Sequence, residues 1–303
     1  MKKITTTLLK QSFKEIGIKG TFIRGLDFFS HKFAENEQLY KYVSKHYKKT
    51  MSEGEITCPQ VKNFTNQNIW VCWFQGMENA PLIVQKCFES LKEKNPDNNI
   101  IVITDDNYSE YVVLPQNIIK KYKEGIITRT HFSDILRANL LFNNGGLWVD
   151  STMFFTDTIP KYVWNSKMFA FSIYNPDTKQ VASSQFLYAE SGNEVLGRTL
   201  CGLYKYWENN DKLITYYLFH YFFAVAVDCR STCKELWDST PKYFSEVNHV
   251  LQRELFNDYS DEKWRYFEKV SFVHKLSYKH IDKEKINKRT TFYNKIIGNL
   301  YYE

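Results

Sequence analysis

Apolar and polar positions fall along this chain in blocks that predict alternating strands and helices. Ile69-Trp70-Val71-Cys72-Trp73-Phe74 is an unbroken apolar run of strand length closed by Gln75-Gly76, the signature of a strand buried on both faces. From about Ala80 to Lys94 the spacing becomes helical, with Pro81 in the first turn and Leu82, Ile83, Cys87, Phe88 and Leu91 on one face. Asn95-Pro96-Asp97-Asn98 stops that helix, and Asn99 to Thr104 is a second buried strand closing on Asp105-Asp106. Strand, helix, strand predicts a βαβ unit and therefore a parallel sheet.

The pattern then tightens around residues 131–152. Ile135, Leu136, Ala138 and Leu140 recur at helical spacing, Gly145-Gly146 supplies a helix stop, and Leu147-Trp148-Val149 is a short buried strand that ends on Asp150. Further strands are predicted at 168–173 and 185–189, and further helices near 193–208, 211–228 and 248–257. The longest apolar run, Leu213 to Val227, carries His220 and several tyrosines. It is shorter than the roughly 20 residues a membrane span needs, so it reads as a buried helix.

Residues 1–50 alternate basic and apolar groups and hold 11 Lys and Arg against 4 Asp and Glu, so the chain's net charge of +6 resides there and the remainder is near neutral. Two readings stand: amphipathic helices with a cationic rim lying on an anionic membrane, or a helical appendage with solvated lysines. With the polar stretch 51–67 around Pro59, this gives a basic N-terminal arm over 1–67 and a main domain over 68–303. The aromatic content of 17% exceeds the needs of a core and suggests surface for sugars or a membrane interface. The six cysteines lack CxxC or metal-finger spacing, Lys10 interrupts any secretory apolar core, and reduced thiols in a cytoplasmic protein are expected. No nucleic-acid partner is expected, and the oligomeric state is not legible.

The candidate chemistry lies in the 131–152 stretch. Asp134 and Arg137, three apart, project from neighbouring points of one helix face, and Asp150 stands at a strand end, where α/β sheets collect ligands. The competing reading is an ion pair on a helix surface, worth only about 0.3 kcal/mol. The adjoining glycines and Asp150 favour a polar ligand. Gly-x-Ser-x-Gly, His-Glu-x-x-His, a Walker loop and Gly-x-Gly-x-x-Gly are all missing from the sequence, so hydrolase, metalloprotease, kinase and dehydrogenase readings have no support.

Asp134-x-x-Arg137, Gly145-Gly146 and Asp150 together resemble the sugar-nucleotide core of glycosyltransferase family 32, in its capsular polysaccharide synthesis branch, with a more distant similarity to the glucosylating domains of large clostridial toxins. The resemblance covers about Asn68 to Pro160 well and His274 to Lys279 loosely. It implies a GT-A-type, Rossmann-like α/β fold with a mixed, mostly parallel sheet, and retaining transfer of a hexose from a UDP-sugar to a lipid-linked oligosaccharide for a capsule or exopolysaccharide. The protein would work on the inner face of a bacterial cell membrane. Trp73 is then expected to stack on uracil with Cys72 and Gln75 beside it, Asp134 and Arg137 to hold sugar hydroxyls, and Gln185 to lie near the anomeric carbon.

The resemblance also implies Mn²⁺ or Mg²⁺, but the family's Asp-x-Asp is here Asp150-Ser151-Thr152. Thr152 is a weaker ligand for a hard cation, which predicts reduced metal affinity. Compensation is expected from the C-terminal cluster, with His274 as a further metal ligand beside Asp150 and Thr152, and Lys275 or Lys279 on phosphate oxygens. If the segment is a strand, the four-residue spacing lets only one of these lysines face the site. Two rivals remain: a non-catalytic sugar-nucleotide- or carbohydrate-binding scaffold, and a nucleotidyltransferase, although Gln75-Gly76 supplies no Gly-rich phosphate loop.

Overall fold

The structure is a computed structural model that describes residues 36–56, 64–174, 178–279, 281, 284 and 290–298. Its centre is a five-stranded sheet of β1 (Ile69–Cys72), β2 (Ile100–Ile103), β3 (Gly146–Val149), β5 (Met168–Ser172) and β6 (Ala182–Ala189). The spatial order is β2-β1-β3-β6-β5. β1 runs parallel to β2 and β3, whereas β6 is antiparallel to both β3 and β5. Four of the five strands therefore run one way, as the buried runs and the βαβ pattern predict.

Period-two alternation divides the sheet's side chains between two cores. Trp70, Trp148 and Leu187 enter one with the helices α4 (Arg129–Asn144), α6 (Glu194–Asn209) and α7 (Leu218–Val227). Ile69, Val71, Leu147, Val149 and Phe186 face the other, lined by Phe155, Phe171 and Val273. A third cluster joins α2 (Leu82–Lys94) to the C-terminal segment through Ile83, Val84, Leu276 and Phe292.

The hinge between α4 and β3 needs glycine. Gly145 and Gly146 have φ of 66° and 101°, and a Cβ on Gly146 would lie 2.5 Å from the Asn68 carbonyl oxygen. Beyond β3, the chain turns at Asp150 into β4 (Met153–Phe155), which pairs antiparallel with β7 (Val273–Lys275). That two-stranded ribbon sets Lys275 opposite Met153 and so returns the C-terminal segment to the end of β3.

The expected arm boundary does not coincide with the packing. A helix through residues 36–53 buries Val43, Tyr47 and Met51 in the main core, with Tyr47 against Tyr206 and Phe222. Arg198 donates to the carbonyls of Met51 and Gly54, fastening the end of this helix to α6. The arm residues 1–35 lie outside the described residues, as does Cys58.

The predicted helix 211–228 shortens to α7. The hydroxyl of Tyr206 bonds the Lys212 carbonyl and accepts from the Ile214 amide, holding the preceding residues in a non-helical turn. No helix among the described residues is long and apolar enough to cross a membrane.

Candidate functional site

α4 carries charge through the centre of the core. Its N-cap is Thr128, whose hydroxyl accepts from the His131 amide. Asp134 and Arg137 are only 7% and 3% exposed, which removes the helix-surface reading. Arg137 Nη1 donates to Asp134 Oδ1 at 2.9 Å and Nη2 to Asp150 Oδ1 at 3.0 Å. The guanidinium also lies 4.8 Å from the Trp148 ring and 5.5 Å from that of Phe219, so its plane is fixed by apolar and aromatic contact.

Asp150 is held from several directions. Its amide donates to the Gln185 carbonyl at 2.9 Å, and Trp148 Nε1 donates to Oδ1 at 2.9 Å. Lys275 Nζ donates to Oδ2 at 2.8 Å. Burial alone would raise the Asp150 pKa, but the charges of Lys275 and Arg137, with the hydrogen bonds from Lys275 and Trp148, outweigh it and hold the carboxylate below its usual range. Two carboxylates and two cations thus form a balanced cluster, with only about a quarter of the Asp150 side chain accessible.

This cluster floors a cleft of about 590 Å³ at the carboxyl ends of β1 and β3. Cys72 to Gln75 line one end, Arg129, Ser133, Asp134 and Arg137 of α4 another, and Asp150 to Thr152 the base. The segment Lys275 to Lys279 closes one wall, and Tyr216 and His220 stand in the lining as well. The structure therefore brings together Cys72, Trp73, Gln75, Asp134, Arg137, Asp150, Thr152, Lys275 and Lys279, nine of the residues singled out from the sequence.

Trp73 follows the last residue of β1 and meets Tyr278 edge-on at 5.4 Å. Trp70 is a core residue whose Nε1 donates to the Gly145 carbonyl at 2.9 Å. Burial pushes the Cys72 thiol up, so it is a neutral wall group rather than a nucleophile.

Three expectations change. Lys275 and Lys279 both reach the cleft, because β7 ends at Lys275 and the next residues leave strand geometry. His274, adjacent to Lys275 on β7, points to the opposite side; it is fully buried, and its Nε2 lies 3.1 Å from the Phe267 carbonyl. Burial drives its pKa down to about 4. Gln185 also turns from the cleft, donating from Nε2 to Asn248 Oδ1 at 3.0 Å, while its neighbour Ser184 lines it.

The ligand set expected for a divalent ion is consequently not assembled. Asp150 and Thr152 are adjacent to the cleft, but His274 is elsewhere, and both Asp150 oxygens already accept hydrogen bonds from cationic side chains. Among the described residues, no three His, Cys, Asp or Glu converge as a metal cage. The described residues do not fit Mn²⁺ or Mg²⁺ in this arrangement.

Arg129, Ser184, Tyr216, His220 and Tyr278 were not identified from the sequence. Tyr278 alone left a signal, as an aromatic between Lys275 and Lys279. Tyr216 and His220 lay within an apolar run that read as core.

The profile of the capsular polysaccharide synthesis protein family matches residues 26–296. Over 161 residues, 48% of this chain, the sequence is 25% identical to the O-glycosyltransferase braB of Annulohypoxylon truncatum, and the matched stretch spans 38% of that relative's length. Among solved structures, the PaToxG glycosyltransferase shares 17% sequence identity with a TM-score of 0.39, over 88% of this chain and 97% of that one.

Proposed function

The chain belongs to the capsular polysaccharide synthesis protein family, and from that premise we propose that its cleft is the donor site of a retaining, UDP-sugar-dependent hexosyltransferase. The observation that carries this reading is the buried Arg137, held between Asp134 and Asp150 at the floor of an open cleft in which a second cation, Lys275, also bonds Asp150.

The reaction asks for a held base, a neutralised diphosphate and a positioned sugar carbon. Trp73 with Tyr278 offers a flat aromatic corner for uracil. Lys275 and Lys279 supply positive charge on the wall beside it, where the diphosphate of UDP would accept hydrogen bonds from their ammonium groups. Asp134 and Arg137 sit deeper, where a carboxylate accepting hydroxyl protons and a guanidinium donating in a fork can read a sugar diol. In the proposed transfer the bond from C1 to the UDP oxygen breaks, a bond from C1 to the acceptor hydroxyl oxygen forms, and the departing phosphate takes the hydroxyl proton. A lipid-linked oligosaccharide at the inner membrane surface is the proposed acceptor. A divalent ion would add little to donor binding, since Lys275 already holds Asp150.

A second reading, a sugar-nucleotide-binding scaffold, draws on Thr152 standing in place of a second carboxylate. Release of UDP from UDP-hexoses, measured with a lipid-linked acceptor fraction, separates the two. The transferase reading predicts turnover that falls by a factor of order 10² to 10³ in Asp150→Asn, about 3–4 kcal/mol of lost stabilisation. UDP-sugar binding with no turnover would support the scaffold.

A further inference from the structure

We propose that Tyr216 and His220 form the wall of the cleft that reads the transferred sugar, with the His220 ring hydrogen-bonding one of its hydroxyls. This inference rests on the donor-site reading above and assigns the specificity of that site. Both residues line the cleft, Tyr216 from the turn that precedes α7 and His220 from the first turn of that helix.

Phe219, between them, packs its ring 5.5 Å from the Arg137 guanidinium. That contact ties the turn to the Asp134 and Arg137 end of the cleft rather than to the Trp73 end.

His220 is both unpaired at one nitrogen and neutral. Its Nδ1 is buried and has no hydrogen-bond partner among the described residues. Burial also drives the imidazole's pKa down to about 4, against the pull of the Asp134 and Asp150 carboxylates. A neutral ring presents one N–H donor and one acceptor, which matches a hydroxyl and gives no charge to a phosphate. A site built to hydrogen-bond a hydroxyl leaves its own polar group unpaired when the epimer presents none there, which makes discrimination between epimeric hydroxyls steep. Tyr216, 64% exposed, adds a ring at the mouth of the same wall.

The test is a calorimetric titration of the full chain with UDP and with UDP-glucose, UDP-galactose, UDP-N-acetylglucosamine and UDP-N-acetylgalactosamine, comparing wild type, His220→Phe and His220→Gln. Thermal unfolding of each variant and its UDP affinity report whether the cleft is intact. The expected result is UDP affinity within twofold of wild type in all three proteins, with His220→Phe weakening the preferred UDP-hexose at least fivefold and narrowing the spread among the four sugars. His220→Gln, which keeps a donor and an acceptor, retains most of the preference. Unchanged UDP-hexose binding in His220→Phe overturns the inference and leaves the donor site standing, and so does an equal loss for UDP and UDP-hexose, which would mark a structural role. Failure of wild type to bind any of the five ligands overturns the donor-site reading itself.

Discussion

Arg137 and Asp150, thirteen residues apart, meet at 3.0 Å where the end of β3 faces the middle of α4. This contact couples the core to the proposed chemistry, because the same guanidinium holds Asp134 at 2.9 Å. Removing one member of a buried charge cluster leaves the others unpaired, at about 3–5 kcal/mol. Arg137→Met should therefore destabilise the fold by about that amount in urea unfolding and abolish donor binding. A loss of only a few tenths of a kcal/mol would mean that the cluster is not formed as described.

The pH dependence of stability separates two groups. The His274 pKa falls to about 4 in the fold from 6.5, so the folded state binds fewer protons than the unfolded chain between those values. Its contribution is present above pH 6.5 and is lost as pH falls toward 4, with a limiting slope of about 1.4 kcal/mol per pH unit. Buried His220 acts in the same direction and window. Asp150 is depressed from 3.8, so its contribution is present above that value and is lost only below it, as pH falls through its folded pKa. Denaturation midpoints between pH 3 and 7 should show both phases, and His274→Gln should flatten the upper one.

Most of the sheet was legible because its strands read as unbroken apolar runs, as at Ile69 to Cys72, buried through Val71, and at Ile100 to Ile103, although that second run forms an edge strand of which only Ile103 is buried. β4 and β7, of three residues each, are too short to show a period, so the ribbon that delivers Lys275 to Asp150 came into view only in the structure. Alternation nevertheless explains two of the misplaced residues. His274 and Gln185 each adjoin a residue that lines the cleft, Lys275 and Ser184, and neighbours on a strand face opposite sides. The turn at Tyr216 was hidden because the five residues before α7, Leu213 to Tyr217, continue the helix's largely apolar run while their backbone is held by Tyr206.

The two tryptophans around β1 should behave oppositely. Trp73→Ala should weaken UDP binding by about 1–3 kcal/mol, the usual value of a base–aromatic stack, with little loss of stability. Trp70→Ala empties a fully buried site and should cost about 3–5 kcal/mol in unfolding. Calorimetry and urea denaturation on both variants check the pair; a UDP affinity unaffected by Trp73→Ala would remove it from the base site.

Donor binding should survive chelation. With Lys275 bonded to Asp150, UDP-hexose affinity in EDTA is expected within about threefold of that in Mn²⁺, a difference below 1 kcal/mol. Lys275→Met should reduce it at least tenfold under both conditions. Strict dependence on Mn²⁺ would show that Lys275 gives way to a metal.

Membrane attachment is a separate expectation, carried by residues 1–35 and their seven Lys and Arg. Each cation near anionic lipid contributes about 1 kcal/mol. Vesicles rich in phosphatidylserine should therefore float the full chain better than a chain beginning at residue 36, and 0.5 M salt should release it. Equal flotation of both would place the attachment elsewhere or nowhere.

The most direct test of the donor site is thermal unfolding of the full chain with UDP and with each of the four UDP-hexoses, in Mn²⁺ and in EDTA. A ligand at 100 times its dissociation constant stabilises by about 2.7 kcal/mol. Stabilisation by one UDP-hexose above the others, retained in EDTA and lost in Arg137→Met, is the predicted result. An unfolding temperature unmoved by every one of these ligands would contradict the donor site.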